Sequence, residues 1–326
     1  MPSVTVVVCT RNRRELLKTC LATLLQQDYR LFDVLVVDNC SDPPVQDLCA
    51  SAGVGYVIAP VPGLTRARNI GARFAKGEIV AYIDDDSIVE QDWLSNLVSD
   101  FADPQVGAVT GRVRYMLSIG ESREMSEQPG EGDRARPRAR FERGMPDWFC
   151  KACFGGIGDG GNMAFRRKVI SDIGFDERLG RGRTIDSGDE HVVFAMLLEQ
   201  GHAIAHRPDA VVRHPTPSTI ETLRVLRVAE RSSSITYLLF VMAEFRRHRP
   251  AIARYLCSAV VRRVVGNGTA CGAPIRLGRY RVIKATLEGV ARFWGARRES
   301  SPPAFRPRVE GKAGFERYAA PASKFR

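Results

Sequence analysis

The chain has 326 residues, enough for about two domains of ordinary size. Hydrophobic residues make up 44% and charged residues 26%, a globular balance that excludes a disordered or fibrous chain. The net charge of +11 is uneven: residues 217–326 hold 22 Lys/Arg against 7 Asp/Glu, and residues 1–216 hold 26 against 30, so a slightly acidic body precedes a basic end.

Met1-Pro2-Ser3 leads directly into apolar sequence, with no basic stretch and no small-residue cleavage site, which predicts a cytoplasmic protein. Val4 to Thr10 is a continuous apolar run, the habit of a strand covered on both faces. From Arg13 to Gln27, Leu16, Leu17, Cys20, Leu21, Leu24 and Leu25 recur at helical spacing, with Asn12 placed to cap the start. Asp33 to Asn39 repeats the strand pattern, Val45 to Ala52 reads as a helix closed by Gly53, and Gly55 to Ala59 as a third strand. Thr65 to Lys76 is a helix stopped at Gly77. Glu78 to Ile83 is a fourth strand running into Asp84-Asp85-Asp86.

Strands alternating with helices predict an α/β fold with a Rossmann-like, mainly parallel sheet flanked by helices. Ligands of such sheets bind beyond the carboxyl ends of the strands, where Thr10, Asp38 and the three aspartates would share one rim. Three consecutive aspartates are costly unless a cation joins them. A hard divalent ion such as Mg²⁺ or Mn²⁺ answers that charge, and such ions take one or two carboxylates together with substrate phosphate oxygens.

The stretch from Ser118 to Lys151 is rich in Gly, Pro, Arg and Glu and reads as a long loop. The eight cysteines are expected to be reduced, and Cys150-x-x-Cys153, in loop-like sequence with no second pair at metal spacing, is not expected to hold zinc. After Asp159-Gly160-Gly161 comes a short apolar strand. Gly188 to Gln200 is a helix with Asp189 and Glu190 in its first turn, and Ala210 to Arg213 is a last strand before His214. A C-terminal helical extension begins after Pro217 and loosens into a tail from Ser300. Its longest apolar run, Ile235 to Ala243, is far short of the ~20 residues that a bilayer core demands. Ala251 to Val265, with Arg254, Arg262 and Arg263, reads either as an interfacial helix on an anionic membrane surface or as an amphipathic helix packed on the body. The basic end lacks interleaved aromatics or a recognisable module, so nucleic acid is not an expected partner.

Several motifs taken in order resemble a family 2 glycosyltransferase of the GT-A fold. They are the opening Val-Val-Cys-Thr-Arg-Asn-Arg, Val-Val-Asp38-Asn, Ala67-Arg68-Asn69-x-Gly71, Asp84-Asp85-Asp86, Gly161-Asn162-Met163-Ala164-Phe165-Arg166, Gly174-Phe175-Asp176-Glu177, Gly188-Asp189-Glu190 and Pro208-x-Ala210-Val211-Val212-x-His214. The resemblance spans about Val4 to His214. It implies a catalytic unit over 1–216, its nucleotide-binding half to about residue 115 and its acceptor half beyond, followed by the basic region 217–326.

By that resemblance Thr10, Arg13, Asp38, Arg68, Asp84, Asp85 and Asn162 would contact the nucleotide sugar, Asp86 would bind the metal, and His214 would add a metal or phosphate contact or merely close its strand. The implied reaction is inverting transfer from a nucleotide sugar, UDP-linked by first choice, to an acceptor hydroxyl deprotonated by a carboxylate. Family members carry a Glu-Asp pair at the helix start. Here the order is reversed, which leaves Glu190 and Asp189 both open as the base. Met196 stands where many relatives have arginine. A sugar-nucleotide nucleotidyltransferase would be expected to open with a glycine-rich loop after the first strand, and Thr10-Arg11-Asn12-Arg13 has no glycine. A non-catalytic scaffold is the remaining alternative.

Overall fold

The computed structural model describes residues 1–118, 125–126, 136–216, 220–265, 284 and 287–295. In chain order the elements are β1 (Val4–Thr10), α1 (Arg14–Leu24), β2 (Phe32–Asp38), α2 (Gln46–Ala52), β3 (Gly55–Ile58), α3 (Leu64–Phe74), β4 (Ile79–Asp84), β5 (Ile88–Val89), α4 (Trp93–Val98), β6 (Val106–Ser118), β7 (Met125–Ser126), β8 (Ala139–Phe141), α5 (Trp148–Cys153), β9 (Asn162–Arg166), α6 (Arg167–Ile173), α7 (Asp189–Glu199), β10 (Ala203–Thr216), α8 (Ile220–Glu244) and α9 (Arg249–Val265). A last helical segment covers 287–295.

Alternation along β1 divides the core into two layers, because successive side chains of a strand face opposite sides. Val4, Val6 and Val8 pack with Leu17, Leu21 and Leu24 of α1, while Val7 packs with Ala67 and Ala72 of α3 on the other face. The sheet runs β3-β2-β1-β4-β9-β6-β10-β5, with β7 against β6 and β8 against β10. Its first four strands are mutually parallel, β9 enters antiparallel between β4 and β6, and β6 with β10 is parallel again. Register places Thr10 opposite Asp38 and Cys9 opposite Asp84, so the expected rim exists.

Three local expectations change, and one strand appears where none was assigned. Asn12 does not cap α1: it takes a left-handed φ of 56°, its side-chain oxygen accepts from the Asp42 amide at 2.8 Å, and the helix starts at Arg14 without a side-chain cap. The last strand is Ala203–Thr216 rather than 210–213, because a register shift between Arg207 and Val211 absorbs Pro208 and Asp209, which read as a break. Residues 106–118 form a long strand, and Trp148–Cys153, expected as loop, forms α5. Residues 119–124 and 127–135 of the 118–151 loop, and the tail from Ser300, lie outside the described residues.

The C-terminal helices join the main core. Tyr237, Phe240 and Val241 of α8 and the fully buried Ile252 of α9 belong to the same cluster as Val7 and Phe149, with Ala251, Tyr255 and Leu256 packed at its edge. The first half of α9 therefore turns its apolar side inward. Among the described residues no helix is long and apolar enough to cross a membrane.

Candidate active site

At the end of β4 the three aspartates separate by direction. Asp85 is buried, where it accepts from Thr10 Oγ1 at 2.7 Å and from Arg13 Nη1 at 3.0 Å. The same Arg13 nitrogen reaches Asp86 Oδ2 at 3.0 Å. Thr10 and Arg13 thus hold the triplet from the β1 side. Asp84 and Asp86 face His214 of β10, whose Nε2 lies 3.1 Å from Asp86 Oδ1 and 3.8 Å from Asp84 Oδ2. His214 Nδ1 is 2.9 Å from Pro215 O, a contact that directs its proton to that carbonyl and presents Nε2 to the carboxylates.

One ligand atom from each of Asp84, Asp86 and His214 lies within 4.8 Å of the others. Asp86 Oδ1 is buried, and apart from the His214 imidazole it has no partner. Two carboxylates and an imidazole so disposed fit a divalent cation. The local titration agrees: burial pulls the His214 imidazole down, but Asp86 and then Asp84 outweigh it and hold its pKa above the ordinary value. Burial pushes Asp86 up, and His214 and Arg13 overcome it, leaving that carboxyl below its usual range. In Asp84 burial prevails over Arg68 and His214, and its pKa is raised.

The second part of the site starts from α3. Buried Arg68 donates from Nη1 to Asp189 Oδ2 at 2.5 Å and from Nη2 to Gly160 O at 3.0 Å, with Asp84 Oδ1 at 3.7 Å. One guanidinium therefore ties the aspartate triplet to the start of α7. Asp189 is consumed by this pair. Glu190 lies outside it, with its side chain 15% exposed and Oε1 3.5 Å from His191 Nε2. Burial, then the charge of Asp189, push the Glu190 pKa well above the usual carboxylate value against the opposing pull of Arg68. A raised pKa makes a stronger base.

Two expected contacts already have partners. Both oxygens of Asp38 are engaged, Oδ1 by the Ser41 amide at 2.8 Å and Oδ2 by the Val45 amide and the Tyr56 hydroxyl at 3.1 Å each. Asn162 is fully buried, and its Nδ2 donates to Arg112 O at 2.9 Å and Ala210 O at 2.8 Å while its Oδ1 accepts from Trp93 Nε1 at 3.0 Å.

Residues 5–174 match the family described as glycosyl transferase family 2. The chain belongs to that family. It is a glycosyltransferase with the GT-A fold, which decides against the nucleotidyltransferase reading. It is 28% identical over 226 residues to the succinoglycan biosynthesis protein ExoM of Rhizobium meliloti, covering 66% of this chain and 68% of that one. An N-acetylglucosaminyltransferase of the same organism is 25% identical over 68% of this chain, and there the match spans 53% of the relative's length. Mannosyltransferase PcManGT of Pyrobaculum calidifontis, solved with GDP-Man and Mn²⁺, superposes with a TM-score of 0.55 at 20% identity, covering 91% of this chain and 86% of that one. TarS of S. aureus, solved with UDP-GlcNAc, gives 0.53 at 15% identity over 89% and 81%. These two likenesses carry the fold.

Sequence reading of the glycosyltransferase missed how α8 closes over the start of α7. The ring of Tyr237 lies on Gly188, where a Cβ would stand 2.1 Å from it, and Ser233 Oγ donates to Asp186. Only glycine, here at φ 81°, leaves room for that ring immediately before Asp189 and Glu190. No spacing signal joins positions 188 and 237. Cys150 and Cys153 are both buried free thiols in α5.

Proposed function

We propose that this glycosyltransferase transfers a sugar with inversion from a UDP-linked donor to an acceptor hydroxyl, with Glu190 as the general base. One observation carries the assignment: the buried Arg68–Asp189 pair removes one carboxylate of the adjacent two and leaves Glu190, with its raised pKa, as the other. The reversed acidic order is then without consequence for the chemistry, since pairing rather than sequence order selects the base. Glu190 takes the acceptor proton as the new glycosidic bond forms, a step worth about 10²–10⁴-fold. Support for UDP comes from the TarS complex, and the GDP-Man complex of PcManGT makes GDP the competing donor class.

Asp84, Asp86 and His214 are the residues that would hold Mn²⁺ or Mg²⁺. When bound, the ion would neutralise charge developing on the leaving diphosphate. Thr10 and Arg13 keep Asp85 and Asp86 oriented, and Arg68, reaching both Asp84 and Asp189, keeps the donor side and the base in fixed relation. Asp38 remains the proposed nucleotide contact at the rim. Asn162, with its amide and oxygen engaged by three partners, is better read as a brace of the sheet than as a sugar contact.

Residues 1–216 form the catalytic unit in this reading, divided near 115 into nucleotide and acceptor halves. Its basic extension, 217–326, would hold the enzyme as a peripheral protein against an anionic membrane on the cytoplasmic face. Leu287 and Trp294, 64% and 56% exposed on the last described helical segment, add apolar contact area to that charge. The acceptor carries a hydroxyl and is otherwise open. The test of the function is transfer, or slow hydrolysis, of a panel of UDP- and GDP-sugars with Mn²⁺. Turnover by wild type that disappears in Glu190→Gln while nucleotide binding persists supports it, and equal turnover by both proteins contradicts it.

A further inference from the structure

Residues 179–185 form a small closed loop. Leu179 bridges Ile185, the Gly180 amide donates to Ile185 O at 2.9 Å, and the Arg183 amide donates to Gly180 O at 3.1 Å. The loop is fastened to the first turn of α3 by Thr65 Oγ1 donating to Leu179 O at 3.0 Å and by Arg66 Nε donating to Glu177 Oε2 at 2.8 Å. From this fixed position the Arg183 guanidinium lies across Gly63, where a Cβ would stand 2.6 Å from Nη2 and 3.1 Å from Cζ. With a φ of 149°, Gly63 is a seat that no other residue would leave open.

Arg183 Nε and Nη2 are both buried, and neither has a hydrogen-bond partner. Three other arginines of this region are answered: Arg66 by Glu177, Arg68 by Asp189 and Arg178 by Asp176. The first turn of α3 supplies no acidic residue and no side-chain cap. Burying guanidinium donors with nothing to accept from them forfeits their hydration, which a folded protein tolerates where a ligand completes the contact. The two orphaned nitrogens form one edge of the guanidinium, so their N–H bonds run parallel as a fork. Such a fork matches two oxygens of one phosphate. Its location fits a substrate, because the Gly63 amide donates at 2.9 Å to Asn39, the residue after Asp38 on the rim.

We infer that Arg183 is a phosphate-binding residue of the cleft, its Nε–Nη2 edge taking two oxygens of a substrate phosphate. The phosphate comes either from the donor diphosphate or from a phosphorylated acceptor. Only the first source rests on the nucleotide-sugar reading of the site.

Wild type, Arg183→Gln, Arg183→Lys and Arg183→Met would be titrated with UDP, GDP, dTDP, uridine, inorganic phosphate and pyrophosphate, with and without Mn²⁺, following heat release and melting temperature. If the donor supplies the phosphate, Arg183→Gln and Arg183→Lys weaken the preferred nucleoside diphosphate at least tenfold and leave uridine unchanged. If the acceptor supplies it, nucleotide binding is unchanged, and stabilisation by phosphate or pyrophosphate is lost in all three variants. In both cases ligand-free Arg183→Met melts no lower than wild type, since it removes two buried donors that nothing answers. Failure of every nucleotide to bind wild type would defeat the donor reading alone, leaving the phosphate arm to decide the role of Arg183. Unchanged binding of all six ligands in the variants, or a large drop in the melting temperature of ligand-free Arg183→Met, overturns the inference.

Discussion

Asp189 and Glu190 are adjacent carboxylates with different environments, and that difference sets the pH behaviour of the reaction. A base whose pKa is raised is protonated at pH values where an ordinary carboxylate is already ionised. The rate should therefore fall on acidification through a pKa above the usual carboxylate range, and Glu190→Gln should cost about 10²–10⁴-fold in turnover with donor affinity retained. The same shift makes a stability prediction of known sign. The carboxyl is more acidic unfolded than folded, so its ionisation costs stability progressively as pH rises from its unfolded pKa to its folded one, and the cost persists above both. Without metal at pH 7.5, Glu190→Gln should melt at or above wild type, and a clear drop in melting temperature would show that Glu190 is structural. The rim residues were legible because Thr10, Asp38 and the aspartates follow strand ends. Which carboxylate Arg68 takes was not legible, since the partners are 121 positions apart and spacing is blind to that pairing.

At the scale of elements, the parallel half of the sheet was readable because β1, β2 and β4 are near-continuous apolar runs covered on both faces. The mixed half was hidden by composition: β6 carries Gly107, Gly111, Arg112 and Arg114, and β10 contains Pro208 and Asp209. Asn162 braces these paired strands, linking β9 to carbonyls in β6 and β10 and to Trp93 in α4. Asn162→Leu leaves two carbonyls and an indole N–H unanswered. At about 1–3 kcal/mol for each buried orphan, the variant should lose roughly 3 kcal/mol or more in urea unfolding. A loss below about 0.5 kcal/mol would mean that water or rearrangement replaces the brace.

For the molecule as a whole, the basic end was legible as charge but not as packing. Its helices were expected either on a membrane or on the body, and Tyr237, Phe240 and Ile252 place α8 and the start of α9 in the main core. The burial of Ile252 could not be read from the sequence because Ala251 to Val265 is amphipathic in either setting. Leu287 and Trp294 remain exposed, and the sequence from 217 to 326 holds 22 Lys/Arg, so flotation should recover the full chain with vesicles containing anionic lipid and not with neutral ones. High salt should release it. Equal recovery from both kinds of vesicle would contradict an electrostatic contact.

The most direct test of the account joins the metal site to the donor: calorimetric titration of UDP and GDP into wild type and Asp86→Asn, with and without Mn²⁺. One nucleotide should bind wild type at least tenfold more tightly with the metal, and the variant should lose that gain. Binding by wild type that ignores Mn²⁺, or a metal-dependent gain that survives in Asp86→Asn, would contradict the assignment of Asp84, Asp86 and His214 as the centre that holds the donor.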